Sequence, residues 1–213
     1  KLNTNMANLL KYGIEPMNKL NVFHTDLKSS NILIQEKDGL PRIIDWGSAL
    51  IDDGELPPQD GRPIQFNQPF SLVIIYPTFL KEYEKFLREK SIINLSNIED
   101  KKKVQFDFLP KFYLDLLKKN SGHHSHMINM YNNILYNNEL GNDEANIMFV
   151  KLIIDYMIEI LDVYTKNGKF DVEDYFFKVF LKTTDIWGFV CCYEQVPEFI
   201  RKSGAYSMPF LNN

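Results

Sequence analysis

The feature that most constrains the fold is a polar loop, HTDLKSSN, that lies between two short apolar runs. Apolar residues 22–23 precede the loop and residues 32–34 follow it, which predicts two short strands joined by a rigid connection. A loop held on both sides can position an acid, an amine and an amide for chemistry. The sequence therefore predicts a functional loop at 24–31.

A second strand pattern follows within fifteen residues. The turn KDGLP at 37–41 leads into RIIDWG at 42–47, which we expect to be a short strand that ends in an acid and a glycine. If the strands after the loop pair back on each other as a hairpin, Asn31 and Asp45 come close together.

The polar residues of this hairpin are the types that phosphoryl transfer requires. That reaction needs a carboxylate to orient a hydroxyl, oxygen ligands for Mg²⁺ and a cation near the transferred phosphate. Asp26 is a candidate for the carboxylate and Lys28 for the cation, whereas Asn31 and Asp45 offer the hard oxygen ligands that Mg²⁺ prefers. Turn-forming Asp and Asn residues are the alternative interpretation of the same positions.

Composition narrows the class of protein. Of the 213 residues 45% are hydrophobic and 14% aromatic, which is typical of a globular chain rather than a disordered one. The net charge of -4 gives no indication of a nucleic-acid-binding protein, whose domain is normally basic.

The apolar pattern after residue 76 is helical. We predict one helix before the loop, at 5–19, with a break near Pro16. After residue 76 we predict helices at 78–90, 107–120, 125–138, 143–166, 171–181 and 185–196. Asp185 is expected to cap the last of them. We predict an irregular loop at 51–70, a polar connector at 91–103, a mobile insertion at 118–142 and an exposed polar loop for HHSH at 123–126. The predicted fold class is α+β and mostly α-helical.

Location is predicted from three features. The adjacent Cys191 and Cys192 lie in an apolar run and are expected to be reduced core thiols, which favours an intracellular protein. Residues 1–20 lack the pattern of a signal peptide. The most apolar stretch, 148–164, carries four charged residues at helical spacing and predicts an amphipathic core helix rather than a membrane span.

Three motifs in order resemble those of the protein kinase family. HTDLKSSN resembles its catalytic loop, H-R-D-x-K-x-x-N, and DWG resembles its metal-binding D-F-G. TTDIWGFVCCYEQV at 183–196 resembles the buried central helix of the large lobe, D-x-W-S-x-G, and residues 7–23 resemble the helix and strand that enter the catalytic loop. The resemblance covers 5–50 and 183–196 and does not extend to the residues between them.

The resemblance implies roles for individual residues. Asp26 is expected to be the catalytic base, Lys28 to touch the γ-phosphate of ATP, and Asn31 and Asp45 to bind Mg²⁺. The remaining matched positions are expected to be structural: His24, Gly47, Asp185 and Trp187. His24 is expected to hold the loop and the Asp-Trp-Gly segment, and Asp185 to anchor the loop through backbone N–H groups.

This chain departs from the family pattern at several positions. Thr25 stands where the family has Arg, so an activation-loop phosphate lacks its usual partner. Trp46 replaces Phe, and FNQPFS at 66–71 matches the family's A-P-E segment only through Pro69.

The 213 residues contain no glycine-rich phosphate loop and no V-A-I-K lysine, so the small lobe is expected to be absent from this chain. We expect one kinase-like large lobe, divided into catalytic and metal-binding segments at 1–70, a divergent helical insertion at 71–182, and the central helix and tail at 183–213. The chain is then either a fragment of a longer kinase or a reduced kinase-like protein, and a small lobe comes from upstream or from a partner chain.

The function that this resemblance implies is transfer of the γ-phosphate of ATP, with Mg²⁺, to a Ser or Thr hydroxyl of a protein substrate. Two alternatives stay open. One is a pseudokinase that acts as an interaction module, and the other is a small-molecule phosphotransferase of the aminoglycoside or choline kinase type, which also uses H-x-D-x-x-x-x-N followed by an acid. The Asn-rich composition resembles kinases of large DNA viruses, for which the location would be the host cytoplasm or the virion.

Overall fold

Helices account for most of the chain in the computed structural model, which describes residues 2–56, 65–89, 98–119, 121–136, 139–194 and 196. The α-helices are α1 Leu2–Leu9, α2 Glu15–Lys19, α3 Pro77–Glu89, α4 Ile98–Lys119, α5 Ser121–Tyr136, α6 Asn142–Tyr164, α7 Val172–Tyr175 and α8 Leu181–Cys191. The strands are β1 Val22–Phe23, β2 Ile32–Ile34, β3 Pro41–Ile43, β4 Leu50–Ile51, β5 Thr165–Lys166 and β6 Lys169–Phe170. The predicted class, α+β and mostly helical, is confirmed.

The strands form three antiparallel pairs. Strand β2 pairs with β3 with Ile32 opposite Ile43, so the predicted hairpin after the polar loop is confirmed. Strand β1 pairs with β4, whose Ile51 is the first residue of the segment predicted to be irregular, and β5 pairs with β6. The polar loop therefore starts from one two-stranded sheet and ends in another.

The N-terminal helical region is not broken at Pro16. The chain stays helical through Leu2–Leu9, a π-helical turn at Leu10–Ile14, and Glu15–Lys19. Pro16 lies in the first turn of α2, where its missing N–H group and its ring are tolerated because the preceding turn is wider than an α-helical one. The predicted break is thus replaced by a change of helical type.

The main hydrophobic core is built by α3, α4, α6 and the helical segment that leads to α8. Helix α3 buries Phe79, Tyr83 and Leu87, which lie one turn apart on one face. Helix α6 matches the predicted amphipathic core helix and buries Phe149 and Met157 among other residues. Phe23 of β1 is fully buried in this same core, so the strand before the polar loop is packed against the helices. Within the described ranges, no helix is both long and apolar enough to cross a bilayer.

The last helical region is continuous where two helices were predicted. Val172–Tyr175, a π-helical turn at Phe176–Phe180, and Leu181–Cys191 follow one another without a break. Thr183 does not interrupt the helix because its hydroxyl donates to the carbonyls of Val179 and Phe180 in the preceding turn. Asp185 lies inside α8, so the prediction that it caps the helix is wrong.

Two further predictions in the middle of the chain are corrected. Helix α4 begins at Ile98, so 98–103 is not a connector, and Lys102 of this stretch pairs with Glu159 of α6 at 2.7 Å. Residues 91–97 lie outside the described residues. Helix α5 contains the HHSH sequence, so the predicted exposed polar loop is wrong: His124 and Met127 are buried, and His124 bonds to Asn146 of α6 at 2.9 Å. Most of the segment at 118–142 is thus helical, and its mobility stays a prediction. Long-range packing decides both segments, which lack a strong local pattern.

A smaller core connects the N-terminal helices to the polar loop and to α8. Its buried residues are Met6, Ile14, Leu27, Ile32 and Phe189. Gly188 of α8 lies against the loop so closely that a Cβ there would be 2.4 Å from the carbonyl oxygen of Leu27. The absence of a side chain at 188 is what lets the helix touch the loop backbone.

We expect Gly188→Ala to lower the free energy of unfolding by about 1 to 3 kcal/mol, because the added methyl group meets backbone atoms that must shift. Chemical denaturation of the chain measures this change. The matched control is Gly141→Ala, where an added Cβ has no atom within 4 Å among the described residues. Equal stabilities of the two variants would show that the contact between α8 and the loop is not tight.

Candidate active site

The polar loop is attached to α8 through a single buried carboxylate. Asp185 accepts hydrogen bonds from the backbone N–H groups of His24 at 2.9 Å and Thr25 at 2.8 Å, and it is fully buried. When the amide of Asn18 is oriented with its nitrogen toward Asp185 and the carbonyl of Val22, Asn18 also donates to the Asp185 carboxylate, at 2.9 Å. Burial raises the pKa of Asp185 above its ordinary value, although the two backbone hydrogen bonds act in the opposite direction. These contacts are the ones expected of Asp185.

Thr25 has the left-handed backbone conformation that β-branched residues rarely adopt, with φ of 62°. Its N–H group bonds to Asp185, its hydroxyl donates to the carbonyl of Ser48 at 2.6 Å, and its carbonyl accepts from Gln68 at 3.0 Å. These bonds offset the strain and join the loop to the segment after Asp45. Thr25 therefore has a structural role in this loop.

His24 connects the loop to the Asp-Trp-Gly segment. Its ring is fully buried, with Nε2 2.9 Å from the carbonyl oxygen of Ile44 and Nδ1 3.3 Å from the backbone nitrogen of Asp26. The neutral tautomer that carries its proton on Nε2 satisfies both contacts, since Nε2 then donates and Nδ1 accepts. The ring also packs edge-on against Trp46 with a centroid separation of 4.9 Å. This geometry matches the structural role expected of His24.

Asp26 is the centre of a hydrogen-bond network. Its Oδ2 atom accepts from Lys28 Nζ at 2.8 Å and from Asn31 Nδ2 at 3.2 Å, and its Oδ1 atom accepts from Asn67 Nδ2 at 2.8 Å. Burial opposes ionisation of Asp26, but the bonds from Lys28, Asn67 and Asn31 and the charge of Lys28 outweigh it, so the pKa of this carboxyl is lowered. The side chains of Asp26 and Lys28 stay 16% and 30% accessible, so solvent reaches both charged groups.

The β2–β3 hairpin pairs the backbone at Asn31 with the residue before Asp45. The backbone N–H of Ile44 donates to the carbonyl of Asn31 at 3.0 Å, which places Asp45 one residue beyond that bond. Asn31 is buried and its amide nitrogen bonds to the carbonyl of Asp26 at 2.8 Å. Because that nitrogen is engaged, the amide oxygen is the atom of Asn31 that can ligate a cation.

Asp45 is exposed and has a left-handed backbone, with φ of 62°, at the point where β3 ends. One carboxylate and one amide oxygen fit Mg²⁺, which takes one or two protein ligands and completes its shell with water and phosphate. No cluster of three or more His, Cys, Asp or Glu side chains that could hold a metal occurs in the part of the chain that the structure describes.

Gly47 and Trp187 are the two remaining residues that were predicted to be structural. Gly47 follows Asp45 in a short 3₁₀ turn, and a Cβ at this position would be 3.6 Å from the Asp45 carboxylate. Trp187 of α8 donates from its indole nitrogen to the carbonyl of Phe66 at 2.9 Å and packs edge-on against Phe70. Trp187 is therefore a support for the segment at 65–70 rather than for the loop itself.

Sequence reasoning missed two residues of the network, Asn67 and Gln68. Asn67 donates to Asp26 and also to the carbonyl of Leu27 at 3.1 Å, and Gln68 donates to Thr25. Both are buried. They lie about 40 positions from their partners in the sequence, in a stretch without periodicity. The weak match of FNQPFS to A-P-E was the sequence pattern that came nearest to indicating them.

Comparison of the chain with protein-family models, curated proteins and solved structures finds no match. The residues and geometry of the loop are therefore the basis for inferring a function, and the kinase-like lobe stays a prediction.

We expect Asp185→Ala to lower the free energy of unfolding by about 2 to 5 kcal/mol, because two buried backbone N–H groups lose their acceptor. Denaturation of the variant measures the loss. The control on the same helix is Thr183→Ala, whose exposed hydroxyl bonds only within its own helix. A loss no larger in Asp185→Ala than in this control would contradict the anchoring role.

Proposed function

We propose that the chain carries the catalytic half of an ATP-dependent phosphotransferase that acts on Ser or Thr hydroxyls of a protein substrate. The observation that carries the proposal is the network around Asp26: the carboxylate contacts Lys28 and Asn31, and the hairpin bonds the backbone of Asn31 to that of Ile44, the residue before Asp45. The base, the cation and two oxygen ligands that the reaction needs thus come from one loop and one hairpin.

Asp26 acts as the base in this proposal. Its lowered pKa means that it is ionised at neutral pH and can accept a hydrogen bond from the incoming hydroxyl. A carboxylate with a low pKa takes the proton only late, when bond formation to phosphorus has made the hydroxyl acidic. Orientation of the hydroxyl is therefore a larger part of the role of Asp26 than proton abstraction.

Lys28 and the ligand pair act on the phosphate. The ammonium group of Lys28 lies 2.8 Å from Asp26, so it brings positive charge to the position where the γ-phosphate meets the hydroxyl. Mg²⁺, when bound, neutralises charge that develops on the phosphate oxygens. Asn31 and Asp45 would hold it, with Asn31 fixed by its amide bonds to Asp26.

The other wall of the nucleotide site belongs, in this proposal, to a small lobe that comes from upstream or from a partner chain. The β2–β3 hairpin leaves three apolar side chains exposed, Leu33, Ile34 and Leu40, which are 54%, 42% and 42% accessible. In this proposal the small lobe covers part of the hairpin.

We place the activity inside the cell, in the host cytoplasm or the virion if the source is a virus. Cys191 and Cys192 are both free thiols, and burial raises their pKa values to about 12 and about 11. Protonated thiols that are buried, as at Cys191, or half-buried, as at Cys192, are typical of structural cysteines in a reducing compartment.

We expect Asp26→Asn to lower the rate of γ-phosphate transfer by about 10²- to 10⁴-fold, because the amide cannot accept the proton of the hydroxyl. The assay follows labelled phosphate from Mg-ATP into generic Ser/Thr protein substrates and into small aminoalcohols. It uses the chain alone and the chain together with the residues encoded upstream.

The control for this assay is Asp38→Asn. Asp38 lies in the turn of the same hairpin and, among the described residues, accepts a hydrogen bond from the N–H group of Leu40, a bond that Asn also makes. Transfer that persists in Asp26→Asn would refute the base assignment. Transfer to small alcohols alone would favour a small-molecule phosphotransferase, and no transfer by any wild-type form would favour an interaction module.

We expect Mg-ATP to raise the melting temperature of the wild-type protein, because a ligand that binds the native state stabilises it. We expect the Asp45→Asn variant to lose the part of this increase that requires Mg²⁺, because it lacks one of the proposed metal ligands. Differential scanning fluorimetry with ATP, with Mg²⁺ and with both measures the effect, and Asp38→Asn should keep the full shift. An Asp45→Asn protein with an unchanged Mg²⁺-dependent shift would remove Asp45 from the metal site.

A further inference from the structure

We infer that Asn67 is a positioning residue that holds the carboxylate of Asp26 in its working orientation, and that the bridging segment 65–70 transmits this constraint from α8. The inference rests on the proposed function, because it names a residue that supports the same reaction. It starts from a contact that joins residues 41 positions apart.

The two oxygens of Asp26 are held from two different elements. Lys28 and Asn31 of the loop contact Oδ2, whereas Asn67 of the bridging segment contacts Oδ1 at 2.8 Å. A carboxylate held by only one oxygen can rotate about its terminal torsion, which is broad in free side chains. Donors on both oxygens fix that rotation, so Asn67 determines the direction in which the carboxylate faces a hydroxyl.

Asn67 is placed for this role at a cost. Its side chain is 1% exposed, and its nitrogen donates both to Asp26 and to the carbonyl of Leu27. Its Oδ1 atom is buried and has no hydrogen-bond partner in the part of the chain that the structure describes. A buried unsatisfied acceptor is unfavourable, so the favourable contribution of this side chain comes from its two N–H bonds.

The bridging segment is held rigidly enough to transmit the constraint. Phe66 accepts through its carbonyl from Trp187 at 2.9 Å and from the thiol of Cys191 at 3.4 Å, both on α8. Gln68 donates to the carbonyl of Thr25 at 3.0 Å. A turn bond from Gln68 to Gln65 closes the segment between these attachments. Helix α8 therefore holds the catalytic loop twice, through Asp185 on one path and through the bridging segment on the other.

The kinetic test compares Asn67→Ala and Asn67→Asp with wild type. The first removes both donors, and the second keeps the shape but places a second carboxylate beside Asp26. We expect kcat to fall by about 10²-fold in both, which is the effect of misplacing a catalytic group. We expect the Mg-ATP concentration for half-maximal rate to stay unchanged, because neither Asn31 nor Asp45 bonds to Asn67.

The control variant is Asn132→Ala. Asn132 is also buried and donates its amide to a backbone carbonyl, that of Leu140, at 2.9 Å, but it lies on α5. We expect this variant to lose stability without losing kcat per folded molecule. An unchanged kcat in Asn67→Ala would overturn the inference. A loss of both kcat and Mg-ATP binding that follows the decrease in melting temperature would also overturn it, because that result would indicate a residue with only a structural role.

A second measurement separates this inference from the proposed function. A double-mutant cycle of Asn67→Ala and Asp26→Ala on the unfolding equilibrium needs no transfer activity. We expect non-additive losses, and additive losses would overturn the inference whatever the enzyme does. Non-additive losses in a protein that transfers no phosphate, either alone or with its small lobe, would refute the proposed function and still show that Asn67 holds Asp26.

Discussion

The candidate site depends on the hydrogen bonds between the buried carboxylate of Asp185 and the backbone of the polar loop. The carboxylate accepts hydrogen bonds from the consecutive backbone N–H groups of His24 and Thr25, so it fixes the direction of the backbone just before Asp26. Gly188, one turn further along α8, lets the helix lie against the loop backbone at Leu27. A helix buried in the core thus positions a loop whose functional groups remain accessible to solvent.

This arrangement places several unfavourable groups in a small volume. Asp185 is buried with a raised pKa, Thr25 has a left-handed backbone, and Asn67 has a buried oxygen without a partner among the described residues. Each costs free energy by itself, and each is compensated by hydrogen bonds to the others or to the loop. Such a network is stable only as a whole, which explains why its members come from segments far apart in the chain.

The hairpin and the core helices were predictable because they depend on local patterns. Alternating apolar runs around HTDLKSSN and RIIDWG gave the β2–β3 pair, and the helical spacing in 148–164 gave α6. The failures lie where a local signal is weak or misleading. Asp185 suggested a helix start, but the hydroxyl of Thr183 bonds within the preceding turn and the helix continues through Asp185. HHSH suggested an exposed loop, but burial of His124 against α6 makes it helical.

The sequence by itself determined which residues the loop offers for chemistry: an acid, a lysine, an amide and a second acid at the end of the next strand. It determined this because strand pairing within a short hairpin follows from local periodicity. Only the tertiary structure decided how those groups are held. Asn67 and Gln68 reach the loop across about 40 residues and Asp185 across about 160, and no local pattern encodes a contact between side chains that meet only when the core has packed.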